Sequence, residues 1–115
     1  MPTWDDVRAA GSALPECEES TSYGTPALKV RRKLMCRLRT GPDALVVRVL
    51  DEGDKHALLQ SDPAVFFTTP HYDGHAYVLV RLEAVSGETL RELIEDAWRT
   101  MAPKRLVAAH DAERG

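Results

Sequence analysis

The sequence has few of the features that mark specialised classes of protein. It contains only two cysteines, Cys17 and Cys36, with no CxxC pair and no histidine at metal-ligand spacing, so a structural zinc site is not expected. Uninterrupted apolar stretches such as residues 44–47 and 64–67 are four residues long, far short of the ~18 of a membrane-spanning helix. Seven glycines and seven prolines in 115 residues argue against collagen-like and disordered chains. We therefore expect one globular domain over residues 1–115, with an ordered core at about residues 3–109.

The N-terminus and the charge distribution narrow the choice of compartment and partner. Residues 1–6 are acidic and lack the basic and apolar regions of a secretory signal, so we expect a cytoplasmic protein with reduced thiols. The net charge of −3 argues against a chain that is basic throughout. Between Lys29 and Arg48, however, seven residues are basic and one is acidic. Such a segment is typical of an anion-binding surface, or of a solvated face balanced by acids on a neighbouring strand.

Hydrophobic periodicity predicts a mixture of helices and strands. Thr3 and Asp6 form a variant of the capping box before a first helix, and Ser86 caps the longest helix, in which apolar residues recur at helical spacing from Leu90 to Met101. Period-two alternation predicts the strands, and Gly41-Pro42-Asp43 predicts a turn. The predicted helices are 4–13, 52–60, the helix after Ser86 and a turn or short helix around 104–106; the predicted strands are 18–23, 28–31, 33–39, 44–50, 64–68 and 76–82; residues 111–115 are expected to fray.

This order of elements predicts an α+β fold. The arrangement is a two-layer sandwich, an antiparallel sheet with its helices packed on one face. The opposite face of the sheet is then expected to be open to solvent.

Alternation assigns the basic side chains to that open face. Leu28, Val30, Leu34, Cys36 and Leu38 are predicted to point into the core, and Met35 to point outward with the cations. The predicted nucleic-acid-binding residues are Lys29, Arg31, Lys33, Arg37 and Arg39, with Arg81 as a further candidate. Guanidinium groups spaced by a sheet suit the phosphates of a DNA backbone. The alternative is that Glu18 and Glu19, on the first strand, pair with these arginines and neutralise the face.

Several blocks along the chain resemble one family. They are TPALKV (25–30), KLMC (33–36), LLQSDP (58–63), FFTTPHYDG (66–74), YVLVRL (77–82) and LRELIEDAW (90–98). In this order they resemble the MmcQ/YjbR family over residues 4–107. The resemblance implies a CyaY-like, or frataxin-like, α+β fold. Members of that family are described as DNA-binding by likeness to a double-wing arrangement, so the resemblance implies DNA as a partner.

A second candidate site is the polar loop at residues 71–75. His71, Tyr72 and His75 are predicted ligand-binding residues, since loops carry function disproportionately and these side chains offer hydrogen-bonding tips. Two imidazoles and Asp73 within five residues could approach a metal ion, but Asp73-Gly74 is better explained as a tight turn, so no metal and no cofactor are predicted. No nucleophile lies near a designated base. The leading hypothesis is a non-enzymatic DNA-binding protein; the alternatives are a protein- or small-anion-binding module using this loop, and an uncharacterised enzyme.

Overall fold

The computed structural model describes residues 2–39 and 44–114. These residues form a six-stranded antiparallel sheet, four α-helices and one turn of 3-10 helix, which confirms the predicted α+β class. The sheet order is β1-β2-β3-β4-β6-β5. The elements in chain order are α1 (Trp4–Ser12), β1 (Cys17–Ser22), β2 (Thr25–Val30), β3 (Lys33–Arg39), β4 (Ala44–Arg48), α2 (Glu52–Ser61), β5 (Phe66–Phe67), the 3-10 helix (Pro70–Tyr72), β6 (Tyr77–Arg81), α3 (Gly87–Met101) and α4 (Lys104–Arg114). The predicted turn at Gly41-Pro42-Asp43 lies outside the described residues.

The main core lies between the sheet and helices α1 and α3. The apolar stripe predicted on α3 is confirmed, because its five buried residues are Leu90, Leu93, Ile94, Ala97 and Trp98. The indole of Trp98 is fully buried and its Nε1 donates a hydrogen bond to the carbonyl oxygen of Pro15 at 2.8 Å. Since burial of apolar surface drives folding, α3 is the element that fastens the helical layer to the sheet.

Side-chain caps fix where three helices begin. The backbone N–H of Thr3 donates to the carboxylate of Asp6 at 2.8 Å in the capping box of α1. Asp51 accepts from the N–H of Asp54 at the start of α2, and Ser86 accepts from the N–H of Thr89 at the start of α3. Each contact satisfies a backbone donor that has no partner inside its helix, so the predicted N-termini are confirmed.

The C-terminal segment forms more helix than its sequence indicates. Helix α4 continues to Arg114 instead of stopping after a turn, so the fraying predicted at residues 111–114 is wrong; Gly115 lies outside the described residues. Two contacts to α3 account for the extension. Arg99 donates two hydrogen bonds to Asp111 at 2.7 and 3.0 Å, and the edge of the His110 ring meets Trp98 at 5.0 Å between centroids. None of the described helices is both long and apolar enough to cross a membrane.

The face of the sheet away from α1 and α3 is called the outer face. On β4, Leu45 and Val47 belong to the main core, whereas Val46 points to the outer face. There Val46 and Leu79 form a second apolar cluster with Tyr72, and Phe67 and Tyr77 pack against it. The prediction of an open face is therefore wrong at its centre, because the segment between β5 and β6 returns over the sheet.

Candidate nucleic-acid interface

Basic side chains occupy four adjacent strands of the outer face. Pairing registers place Arg37 opposite Val46, and place both Arg39 and Arg81 opposite Ala44. Neighbouring strands are about 4.8 Å apart and alternate residues of a strand about 7 Å apart, so these groups form a patch rather than a line. The outer-face cations are Lys29 on β2, Arg37 and Arg39 on β3, Arg48 on β4 and Arg81 on β6.

No ion pair with an acid is formed by the outer-face cations among the residues that the structure describes. Glu18 pairs in register with Lys29 without an ion pair among the described residues. Glu19 instead accepts a hydrogen bond from Trp4 Nε1 at 2.9 Å and lies 3.8 Å from Arg8. The alternative in which these two acids balance the arginines is therefore not what the structure shows.

Three of the four outer-face arginines lie over aromatic rings. The guanidinium carbon of Arg81 is 4.3 Å from the ring centroid of Phe67, that of Arg37 is 5.1 Å from Tyr23, and that of Arg48 is 5.7 Å from Tyr77. Such cation–π contacts are worth roughly 0.5–1 kcal/mol at exposed sites. These contacts restrict the rotamers of the three arginines and do not neutralise their positive charges.

Two of these guanidiniums also donate hydrogen bonds to backbone carbonyl oxygens. Arg48 Nε donates to the carbonyl oxygen of Val49 at 2.9 Å, and Arg81 Nη1 donates to that of Pro63 at 3.1 Å. A guanidinium has five N–H donors, so donors remain on both groups for an incoming anion.

Two of the predicted site residues, Arg31 and Lys33, do not lie on the outer face. Arg31 and Arg32 form the β2–β3 turn, with φ of +49° and +71°, and so are not strand residues. Arg31 donates hydrogen bonds to both oxygens of Glu16, at 2.7 and 3.0 Å, and these bonds hold the pKa of that carboxyl below its ordinary value. Lys33 is exposed and pairs in register with Val30, whose side chain is in the core. Placing Arg31 and Lys33 with Arg37 and Arg39 was therefore wrong.

A β-bulge explains why the alternation shifts. The register between β2 and β3 changes between Leu28 and Lys29, so β3 has one residue more than its partner. Met35 and Cys36 are consequently both fully buried in the core, although alternation predicted Met35 to point outward. Burial raises the pKa of the Cys36 thiol well above its ordinary range and that of Cys17 to about 11. Both cysteines are free thiols.

The loop at residues 71–75 packs against the outer face through Tyr72. Tyr72 is 9% exposed, and its hydroxyl accepts a hydrogen bond from Arg37 Nη2 at 2.5 Å. His71 and His75 are exposed, and the His71 ring meets the Tyr72 ring edge-on at 4.8 Å. No group of three potential metal ligands occurs among the described residues. The loop thus brings Tyr72 beneath Arg37 and leaves the two histidines at the surface.

A buried lysine on α2 also binds the backbone of this loop. Lys55, on α2, is 3% exposed, and its ammonium donates to the carbonyl oxygens of Tyr72 at 2.6 Å and His75 at 3.1 Å. Lys55 was not predicted as a site residue, because nothing local distinguishes it from a solvated helix residue. Arg48 was not predicted as a site residue either, although it is the one charge in an otherwise apolar strand, which could have indicated it.

A cavity of about 540 Å³ lies beside α2 and α3. It is lined in part by Asp96, whose pKa is raised by burial and by the neighbouring Glu95. The hydroxyl of Thr100, also in the lining, donates to the carbonyl oxygen of Asp96 and is not paired with a base. The pocket therefore holds a perturbed carboxyl without an activated nucleophile.

Comparison with known proteins decides the family. The YjbR family model matches residues 12–100. The chain belongs to the YjbR family. Uncharacterised proteins of Mycobacterium bovis and Mycobacterium tuberculosis are each 40% identical to this YjbR chain over alignments that cover all of both sequences. The crystal structure of Deinococcus radiodurans protein DR2400, a DUF419 domain, superposes with a TM-score of 0.72 at 26% identity and covers 85% of this chain and 77% of its own.

Proposed function

We propose that this YjbR-family protein is a non-enzymatic protein that binds DNA, with the outer-face cations in contact with backbone phosphates. One observation carries the proposal: five basic side chains share one face, and none has a carboxylate partner among the described residues. Guanidiniums bind phosphate oxygens through paired N–H donors, and such contacts position a protein on DNA without reading its sequence.

The net negative charge of the chain is compatible with this role because the charges are segregated. Acidic residues open helices α1 and α2 and recur along α3, as in Asp5, Glu52 and Glu92. Helices α1 and α3 lie across the sheet from the outer face. DNA approaching the outer face therefore meets a positive local potential, whereas the helical side repels it, and this favours one orientation of docking.

The restricted rotamers of the arginines also favour the binding of a polyanion. Contacts with Tyr23, Tyr77 and Phe67 fix the guanidiniums before any ligand arrives. Less side-chain entropy is then lost on binding than for freely rotating arginines.

Fluorescence anisotropy with a short labelled duplex across a salt series tests the proposal. Five phosphate contacts predict that log K falls with log salt with a slope of about −4.5. The triple variant Arg39→Gln/Arg48→Gln/Arg81→Gln should bind weakly at low salt, with a slope shallower by about 2.7. Arg37 is kept in this variant because its contact with Tyr72 supports the loop.

A charge-matched control separates the outer face from total charge. Arg31→Gln/Arg91→Gln/Lys104→Gln removes three positive charges that lie off the outer face: one in the β2–β3 turn, one on α3 and one on α4. It should retain the wild-type slope. Absence of binding at low ionic strength, or equal losses in the two triple variants, would contradict the proposal.

A further inference from the structure

Tyr23 is the most exposed large apolar side chain of the described residues. It lies in the turn between β1 and β2 and is 84% exposed. One side of its ring faces the guanidinium of Arg37, at 5.1 Å. With so much of the residue in solvent, the opposite side of the ring is open for another flat group to stack on.

The turn itself gives no reason for an aromatic residue at this position. Tyr23 and Gly24 have φ of +54° and +77°, the left-handed pair of a two-residue hairpin turn. Asn-Gly or Asp-Gly is the preferred sequence there, since a bulky residue at positive φ is strained. The ring of Tyr23 also buries little apolar surface. The ring therefore contributes little to the stability of the fold, and its exposed side lies beside the outer-face cations.

Arg37 links this ring to the rest of the outer face. Its guanidinium lies over Tyr23 and donates through Nη2 to the hydroxyl of Tyr72. Tyr72 is in turn packed on Val46 and Leu79 and tied to Lys55 through its carbonyl oxygen. The position of the exposed ring relative to the cations is thus fixed through Arg37 by buried groups.

We infer that the outer face takes a single-stranded segment of nucleic acid, with one unpaired base stacked on the open side of Tyr23. The inference rests on the proposed function, because the outer-face cations hold the phosphates that flank this base. Base–aromatic stacking tolerates any sequence, since every base has a π face. Charge complementarity with the strand comes from Arg37 and Arg39, which lie two residues apart on β3.

Duplex DNA cannot use this contact in its interior. Each base inside a duplex is already stacked on both sides, so an external ring meets base edges, sugars and phosphates but no open base face. An unpaired base has a free face and can stack on Tyr23 without disrupting a base pair. Tyr23 is therefore a residue that discriminates single strands from duplexes, whereas the arginines serve both.

Binding of three labelled probes tests this inference: an oligothymidine strand, an abasic strand of the same length and charge, and a duplex. Tyr23→Ala should weaken binding of the oligothymidine about tenfold, from the loss of one stacked base. Its binding of the abasic strand and the duplex should weaken much less, because only the contact between Tyr23 and Arg37 is lost there. Tyr23→Phe, which keeps the ring, should restore oligothymidine binding.

The outcomes distinguish failure of stacking from failure of the proposed function. If Tyr23→Ala weakens all three probes alike, the ring acts only by placing Arg37, and the inference is overturned. Unchanged oligothymidine binding in Tyr23→Ala also overturns it, while the duplex result can still support the proposed function. If the wild-type protein binds none of the probes at low salt, both proposals are wrong. Thermal unfolding of each variant shows whether it is folded when tested.

Discussion

The ammonium of Lys55 lies 2.6 Å from the carbonyl oxygen of Tyr72, in a site where the lysine is almost fully buried. A second bond, to the carbonyl oxygen of His75, closes the loop around the same charge. Charged donors are rarely buried without partners, and here backbone carbonyls take that role in place of a carboxylate. The contact therefore joins α2 to the segment that carries Tyr72 onto the outer face.

Lys55→Met is expected to destabilise the protein by about 1–3 kcal/mol, since hydrogen bonds to a charged group are lost and two carbonyls each lose a donor. Urea unfolding measures the change. Amide hydrogen exchange should also accelerate in residues 72–77, where the loop is held. Lys104→Met, at the exposed start of α4, is the matched control and should change stability by less than about 0.5 kcal/mol. Equal effects of the two variants would show that the buried contact contributes nothing.

The contact between Arg31 and Glu16 makes a prediction about pH. The hydrogen bonds from Arg31 lower the pKa of the Glu16 carboxyl in the folded protein. Because the folded-state pKa is the lower one, the ion pair stabilises the fold above the ordinary carboxyl pKa. This contribution is lost as the pH falls through the lowered pKa.

Arg31→Gln should therefore move the pKa of Glu16 upward, toward its ordinary value, as followed by an NMR titration of its side-chain carboxyl. Lys33→Gln removes a nearby cation that makes no ion pair with Glu16 among the described residues, and should leave the Glu16 pKa low. A Glu16 titration that does not move in Arg31→Gln would mean that the ion pair is not formed in solution.

Much of the fold can be predicted from sequence because its signals are local. The α3 stripe, the caps at Asp51 and Ser86 and the apolar run of β4 each depend on residues close together in the chain. Helix α4 lacks such a signal. Its length depends on Arg99 and Trp98, which contact it from α3.

The candidate site was predicted less well, for two physical reasons. The turn at Arg31 and Arg32 contains none of the glycine or asparagine that usually marks a left-handed pair, so Arg31 was predicted as a strand residue. The bulge at Met35 then shifts the phase once: Lys33 and Leu34, which precede it, lie on the faces opposite to those predicted, whereas Cys36 to Arg39 keep the predicted faces. Arg37 and Arg39 were assigned correctly because they lie beyond the bulge in phase with β4.

Two helical glycines should respond to alanine in opposite directions. A Cβ at Gly11, in α1, would lie 2.6 Å from Leu28 Cδ1 and 3.1 Å from Cys17 Sγ, and Leu28 is itself 2% exposed. Overpacking of this kind costs about 1–3 kcal/mol, more than the ~1 kcal/mol that alanine gains over glycine in a helix. Gly11→Ala should thus lower the free energy of unfolding. At Gly87 the nearest atom to a Cβ is 3.6 Å away, so Gly87→Ala should raise it by about 0.5 kcal/mol. Chemical denaturation of both variants measures the two signs; a Gly11→Ala protein as stable as wild type would mean that α1 can move away from β2 without cost.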